Sequence, residues 1–337
     1  PLVVFNSLSW SRDGLVKIEL LPEFQGEATV ISDTGEEIPS QILGSKEGNI
    51  LCFVAKGVPA LGYKVYKVRK GKAMPSSGSL TVEEAVLNNR YFRITLHPQN
   101  GNIISIFDNQ EKREVLAPSA QGNLIQLFED IPDYWDAWDI KYTGRSWQLD
   151  KADTITITEK GPVLAAIKVE KSYLALSKSR YDPTPDFPSS FFSQNIILYE
   201  DFPRIDIEME ADWWEEHVLL KVAFPVDVVN EKATYEIPFA SIDRPTTRNT
   251  DWEKARYEVS AIRWADLSDG KYGVSLLNES KYGHDVEGNV IRLTLLRSPL
   301  WPDPLADRGK HRFSYALYPH KGDWREADTV LKGYEFN

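Results

Sequence analysis

The sequence predicts an all-β fold, and three observations carry that prediction. Apolar and polar residues alternate with period two over several stretches; Phe92, Ile94 and Leu96 against Tyr91, Arg93 and Thr95 is one, and Phe313, Tyr315 and Leu317 against Arg312, Ser314 and Ala316 another. Short joints rich in Gly, Pro, Asp and Asn separate these stretches. Long amphipathic helical patterns are missing from the 337 residues, so antiparallel sandwiches are expected rather than a parallel sheet with helical crossovers.

Taken in order, residues 1–72 open on the strand-like Val3-Val4-Phe5 and contain the apolar run Ile50-Leu51-Cys52-Phe53-Val54, enough for a small immunoglobulin-like sandwich. The stretch from Lys70 to Ser79 is small and polar and buries little surface, so a linker is placed at 73–80. Residues 81–337 must then form a much larger sandwich. Its first hairpin joins 91–96 to 102–107 through Pro98-Gln99-Asn100-Gly101, whose Asn-Gly favours the positive φ of a tight turn. Further strands are expected at 163–173, 194–199, 204–211, 218–224, 257–264, 274–278, 290–296 and 312–317. The proline-bearing stretch 177–190 is read as a surface excursion.

Composition narrows the chemistry. Fifty acidic and 39 basic residues leave a net charge of −11, which disfavours nucleic acid and anionic membrane surfaces as partners. No apolar run is long enough to cross a bilayer, and no leader-like segment opens the chain, so a cytoplasmic location is expected. The chain begins at Pro1 and runs straight into a strand, which reads as a fragment of a longer protein. Cys52, the sole cysteine, forbids an internal disulfide and is expected to be a buried core residue. His97, His217, His284, His311 and His320 lack metal-binding spacing, and nucleophile-elbow, phosphate-loop and dinucleotide motifs are missing too.

Ten Trp, 15 Tyr and 14 Phe supply flat faces on which sugar rings stack. They gather with carboxylates in the segment 128–140, which contains Tyr134, Trp135, Asp136, Trp138 and Asp139. Carboxylates accept hydrogen bonds from vicinal hydroxyls while rings cover the apolar face of a sugar, so the segment suits a carbohydrate pocket; it equally suits a loop whose rings plug the sandwich edge. Trp213-Trp214-Glu215-Glu216-His217 is a weaker version, with one indole expected in the core. A second cluster joins 277–285, including Tyr282, to Arg297-Ser298-Pro299-Leu300-Trp301-Pro302-Asp303-Pro304. There Arg297 and Asp303 either face a ligand or belong to an internal Arg–Asp pair that holds the loop.

Four motifs in order resemble the C-terminal β-region of the α-mannosidases of glycoside hydrolase family 38. They are Asp136-Ala137-Trp138-Asp139, Arg263-Trp264-Ala265-Asp266-Leu267-Ser268, Leu277-Asn278-Glu279-Ser280-Lys281-Tyr282-Gly283, and Asp307-Arg308-Gly309-Lys310-His311 running into Tyr318-Pro319-His320. The opening Val4-Phe5-Asn6-Ser7-Leu8-Ser9-Trp10 matches the start of that region. The resemblance implies a small β-sandwich followed by a galactose-mutarotase-like supersandwich, in an enzyme that releases terminal α-mannose with retention. It also implies that zinc or a similar divalent metal and the aspartate nucleophile belong to an N-terminal catalytic domain, with no cofactor and no catalytic residue in this chain. Mannose-containing oligosaccharides and that domain are the implied partners. By the same resemblance Arg297 stands where a substrate-contacting arginine occurs, and the Tyr134–Asp139 loop near a pocket tyrosine. The candidate sugar-contacting residues are therefore Tyr134, Asp136, Trp138, Asp139, Tyr282, Arg297 and Asp303. A free-standing carbohydrate-binding module and an aldose-epimerase-like enzyme are the alternatives.

Overall fold

The structure, a computed structural model, describes every residue except 25–26, 46–47, 73–77 and 175–188. The core of the expected linker and most of the 177–190 excursion lie outside the described residues. The described strands form five antiparallel sheets, and the fold is all-β with two short helices, Asp251–Lys254 and Thr329–Phe336.

Two large sheets make the main sandwich. One has nine strands, in the order Thr154–Lys160, Leu164–Leu174, Ser189–Tyr199, Ile205–Trp213, Gly309–Lys321, Tyr272–Asn278, Trp264–Ser268, Lys232–Ile237, Ala240–Pro245. The other has six, in the order Tyr142–Gln148, Leu124–Asp130, Val218–Pro225, Val290–Arg297, Gly283–Glu287, Val259–Ser260. The alternation read from sequence is what packs them: Ile125, Leu127, Leu220, Val222 and Leu293 from the smaller sheet share one core with Ile167, Ile207, Leu276 and Tyr315 from the larger. A third sheet, which includes Phe92–Leu96 and Ile103–Asp108, closes the same core through Phe92, Ile94 and Ile106.

The back of the nine-stranded sheet is covered twice. Cys52 and Val54 of the N-terminal strands pack on Leu164, Ala166, Ile197 and Tyr199, and the C-terminal helix region lays Trp324 and Phe336 over Trp264, Ala316 and Tyr318. Cys52 is fully buried, and burial pushes its thiol up to about 12. Gln41 ties the N-terminal strands to this sheet, accepting from the Val163 and Leu164 N–H groups at 3.0 Å and donating to Glu159 at 2.7 Å.

Two expectations need correction. The strand expected at 257–264 is two strands: Val259–Ser260 belongs to the six-stranded sheet and Trp264–Ser268 to the nine-stranded one, because the chain changes layer between them. In the first hairpin only Gly101 takes a positive φ, 69°. Asn100 instead turns its side chain back to accept the Asn102 N–H at 2.9 Å, so the loop is wider than a two-residue turn.

Candidate functional site

Three adjacent strands of the six-stranded sheet end side by side at Asp130, His217–Val218 and Arg297. Their ends are stitched by backbone bonds: Asp130 N–H to His217 O and His217 N–H to Ser298 O, both 2.7 Å. Simple alternation along Val290–Arg297 would place Arg297 on the core side with Leu293 and Leu295. A β-bulge prevents this: Leu220 pairs with Leu296 but Lys221 with Thr294, so Leu295 is the extra residue. Leu295 and Leu296 both enter the core, and Arg297 emerges on the opposite face beside Asp130.

Arg297 donates from Nε to Asp130 Oδ2 at 2.6 Å and from Nη2 to the carbonyl of Asp139. Asp130 is 2% exposed and also accepts the Lys141 N–H at 2.7 Å. One ion pair therefore closes both ends of the loop 131–141. The loop needs the clamp because it carries large exposed rings and a backbone in the left-handed region at Trp135, φ 61°. Trp135 O accepts the N–H groups of Trp138 and Asp139 at 2.8 and 3.0 Å, which turns the chain at that point.

A second clamp sits on the other flank. Asp136 Oδ2 accepts from His217 Nε2 at 2.8 Å and from Leu300 N–H at 3.1 Å, drawing the 298–305 segment against the loop. Burial pushes the Asp136 carboxyl up, but hydrogen bonds from His217 and Leu300 and the charges of His217 and Arg297 outweigh it, so its pKa is lowered. His217, like Trp135, has a positive φ, 53°.

The consequence is an aromatic cluster drawn from two distant parts of the chain. Trp135, Trp138 and Trp301 lie with ring centroids 5.3 to 6.3 Å apart, tilted or edge-on to one another. They remain 64%, 69% and 49% exposed. A soluble surface carries such a patch at a cost, so a ligand or another surface that covers it is the physical expectation.

Among the candidates from sequence, Asp136, Trp138, Asp139 and Arg297 come together here, and Tyr134 stands exposed on the same loop. The Asp139 carboxylate accepts the Ile140 N–H at 2.9 Å. Asp303 is not the partner of Arg297: its carboxylate accepts the Leu305 N–H at 2.9 Å within its own turn, and the internal pair foreseen for Arg297 is with Asp130. Tyr282 is exposed on the turn between Tyr272–Asn278 and Gly283–Glu287, with no hydrogen bond or ring contact to the loop among the described residues. Asp130, His217 and Trp301 complete the site. Sequence marked the segments that hold them but not their meeting. Of the neighbouring Trp213 and Trp214, the first is the core residue, donating to Ser298 Oγ at 2.6 Å.

With this geometry in view, the matching relatives can be placed on it. The family model described as glycosyl hydrolases family 38 C-terminal domain matches residues 87–305, which contain the loop, both clamps and all three indoles. The chain belongs to glycoside hydrolase family 38.

Among family 38 relatives, alpha-mannosidase 2C1 of Homo sapiens is 37% identical across 100% of this chain and 29% of that protein. Alpha-mannosidase G of Dictyostelium discoideum is 34% identical over 82% of this chain and 24% of that protein. The chain thus spans about a quarter of the length of the curated relatives it matches. A solved alpha-mannosidase from Enterococcus faecalis V583 superposes with a TM-score of 0.80 at 17% identity, over 99% of this chain and 44% of that one, and shares the fold.

The divalent metal that the family resemblance implies finds no fitting donor set among the described residues. Among the described residues no group of three or more His, Cys, Asp and Glu is placed to hold an ion. His311 bonds to the carbonyl of Asp307 at 2.8 Å, while buried His320 bonds to Asp266 at 2.8 Å. No helix of the described residues is long and apolar enough to cross a membrane.

Proposed function

We propose that this chain is the sugar-shaping β-region of a retaining α-mannosidase, presenting the Trp135–Trp138–Trp301 cluster and the Arg297 loop to a terminal α-mannose residue. The observation that carries this reading is the exposed indole trio held by two clamps, one buried at Asp130 and one half-buried at Asp136, a rigid apolar surface suited to the C–H faces of a sugar. The acids of the site already serve as structural acceptors, Asp130 for Arg297 and Asp136 for His217, which leaves them poorly placed to act as nucleophile or proton donor. In this reading the nucleophile and the metal, zinc or a similar divalent ion, belong to another segment of the full polypeptide. That segment is the main partner of this chain, and mannose-containing oligosaccharides are its ligand. A cytoplasmic setting is part of the proposal, supported by a lone buried thiol that needs no oxidising compartment.

The chain alone then lacks the electrostatics that lower the barrier to glycoside cleavage. Incubated with p-nitrophenyl α-mannoside and zinc, it is expected to release no nitrophenol above buffer; steady zinc-dependent release would overturn the reading. The exposure of the indoles also favours a second reading, a self-sufficient mannose-binding module. Calorimetry with mannobiose separates the two: saturable heat abolished by Trp138→Ala supports the module, and no heat supports a half-pocket completed elsewhere.

A further inference from the structure

Beside the indole loop, the coreless face of the six-stranded sheet holds a cleft of about 300 Å³, the size of one sugar ring with a substituent. One wall is a run of rings, with Phe128 and Tyr142 at 5.4 Å and Tyr142 and Tyr257 at 5.2 Å. Tyr257 belongs to both regions, since its hydroxyl donates to the carbonyl of Ile140 at the end of the loop.

The floor is a closed ion cluster. Lys221 donates to Asp285 Oδ1 at 2.5 Å and to Glu258, and Arg292 donates to Asp285 Oδ2 at 2.6 Å. The rim is different. Arg248 is fixed by donating from Nη1 to the carbonyls of Glu253 and Arg256, at 3.1 and 2.7 Å. Its Nη2 stands 3.9 Å from Asp285 Oδ2, beyond hydrogen-bond distance. Lys254 is exposed and pairs only across 3.3 Å with the fully exposed Asp251, an ion pair of little strength.

Four cations, Lys221, Arg248, Lys254 and Arg292, thus stand with four acids, Glu258, Asp285, Glu287 and Asp251; the floor charges neutralise one another, and the weakly paired cations are Arg248 and Lys254 at the rim. At the back, the enclosed Tyr142 hydroxyl finds no acceptor for its proton among the described residues, since Lys221 beside it can only donate. Burial pushes this phenol up, so it is a proton donor at neutral pH. An orphaned donor, an aromatic wall and two weakly paired rim cations describe the complement of a small anionic sugar.

We propose that this cleft binds a monosaccharide bearing a carboxylate or phosphate group, its ring against Phe128, Tyr142 and Tyr257 and its anionic group toward Arg248 and Lys254. The site is distinct from the indole trio and does not depend on that surface's role.

The test is calorimetric titration of the whole chain with glucuronate and with mannose 6-phosphate, using mannose and inorganic phosphate as controls. At low salt at least one of the two acids binds saturably, and the tighter of them identifies the anionic group. Mannose and inorganic phosphate each bind about tenfold more weakly, because each lacks half of the recognition. Near 1 M salt, where the screening length falls to about 3 Å, the binding collapses. Lys254→Gln weakens it about tenfold and Tyr142→Phe about threefold, as loss of a charged and of a neutral hydrogen bond predicts. Both variants keep the ion cluster of the floor, and an unchanged thermal melt confirms that they fold. Trp138→Ala leaves the binding intact. The proposal is overturned if neither acid binds at millimolar concentration, if inorganic phosphate binds as tightly as the sugars, if both cleft variants bind like the parent, or if Trp138→Ala abolishes the effect.

Discussion

Asp136, a residue that sequence nominates as a sugar contact, has a structural role in holding the site together. Its single oxygen Oδ2 receives both His217 and Leu300, and these bonds with the nearby positive charges hold its pKa below the ordinary carboxylate value. The unfolded chain therefore takes up this proton at higher pH than the folded one. The stabilisation is fully present above about pH 4, the unfolded value, and is lost as pH falls through the lower folded value. Thermal melts of the parent and Asp136→Asn should differ by about 1 kcal/mol at pH 6 and converge as the pH falls below about 4, a gap set by the charged character of the bonds. A pH-independent difference would mean that the carboxylate charge contributes nothing. The same logic applies to Arg297, whose geometry identifies it first as the partner of Asp130 and of the Asp139 carbonyl.

Among the elements, the hairpin at 97–102 and the bulge at Leu295 show two ways in which local sequence meets tertiary demand. Gly101 is required twice over, by its φ of 69° and by Val169 Cγ1, which a Cβ would approach to 2.4 Å. Gly101→Ala is expected to cost about 2 kcal/mol in urea unfolding, the sum of left-handed strain and a displaced core valine. A loss within error would show that Val169 moves freely. The positive φ was legible from Asn-Gly; the approach of Val169 was not, since it depends on the neighbouring sheet. The short helix Asp251–Lys254 is legible in the same local way: Thr250 and Glu253 form a capping box, with Thr250 Oγ1 accepting the Glu253 N–H at 3.2 Å. That helix holds Lys254 at the rim of the cleft beside the loop.

At the level of the whole molecule, the N-terminal strands and the nine-stranded sheet are joined by a mixed seam rather than a bare linker. Gln41 satisfies two backbone donors across it and Lys17 pairs with Glu208 at 2.7 Å, while Trp10 donates to Glu335 of the C-terminal helix at 3.2 Å. Gln41→Ala leaves the buried N–H groups of Val163 and Leu164 without this acceptor. It is expected to destabilise the protein by about 2 kcal/mol, with the unfolding still a single transition. Two separated transitions in the parent would show that the seam does not couple the two parts.

The sequence by itself determined the all-β class, because period-two alternation and turn residues are local properties that a strand cannot escape. It also marked the loop 128–140 and the segment 297–304 as rich in rings and charge, since composition is visible without coordinates. Only the tertiary structure decided that Trp301 joins Trp135 and Trp138, that Arg297 pairs with Asp130 rather than Asp303, and that Lys221, Arg248 and Arg292 meet over one cleft. All depend on strand order, and the Arg297 pairing depends also on a one-residue bulge that reverses which face Arg297 occupies. Strand order is set by packing between segments far apart in the chain, and no local pattern records it.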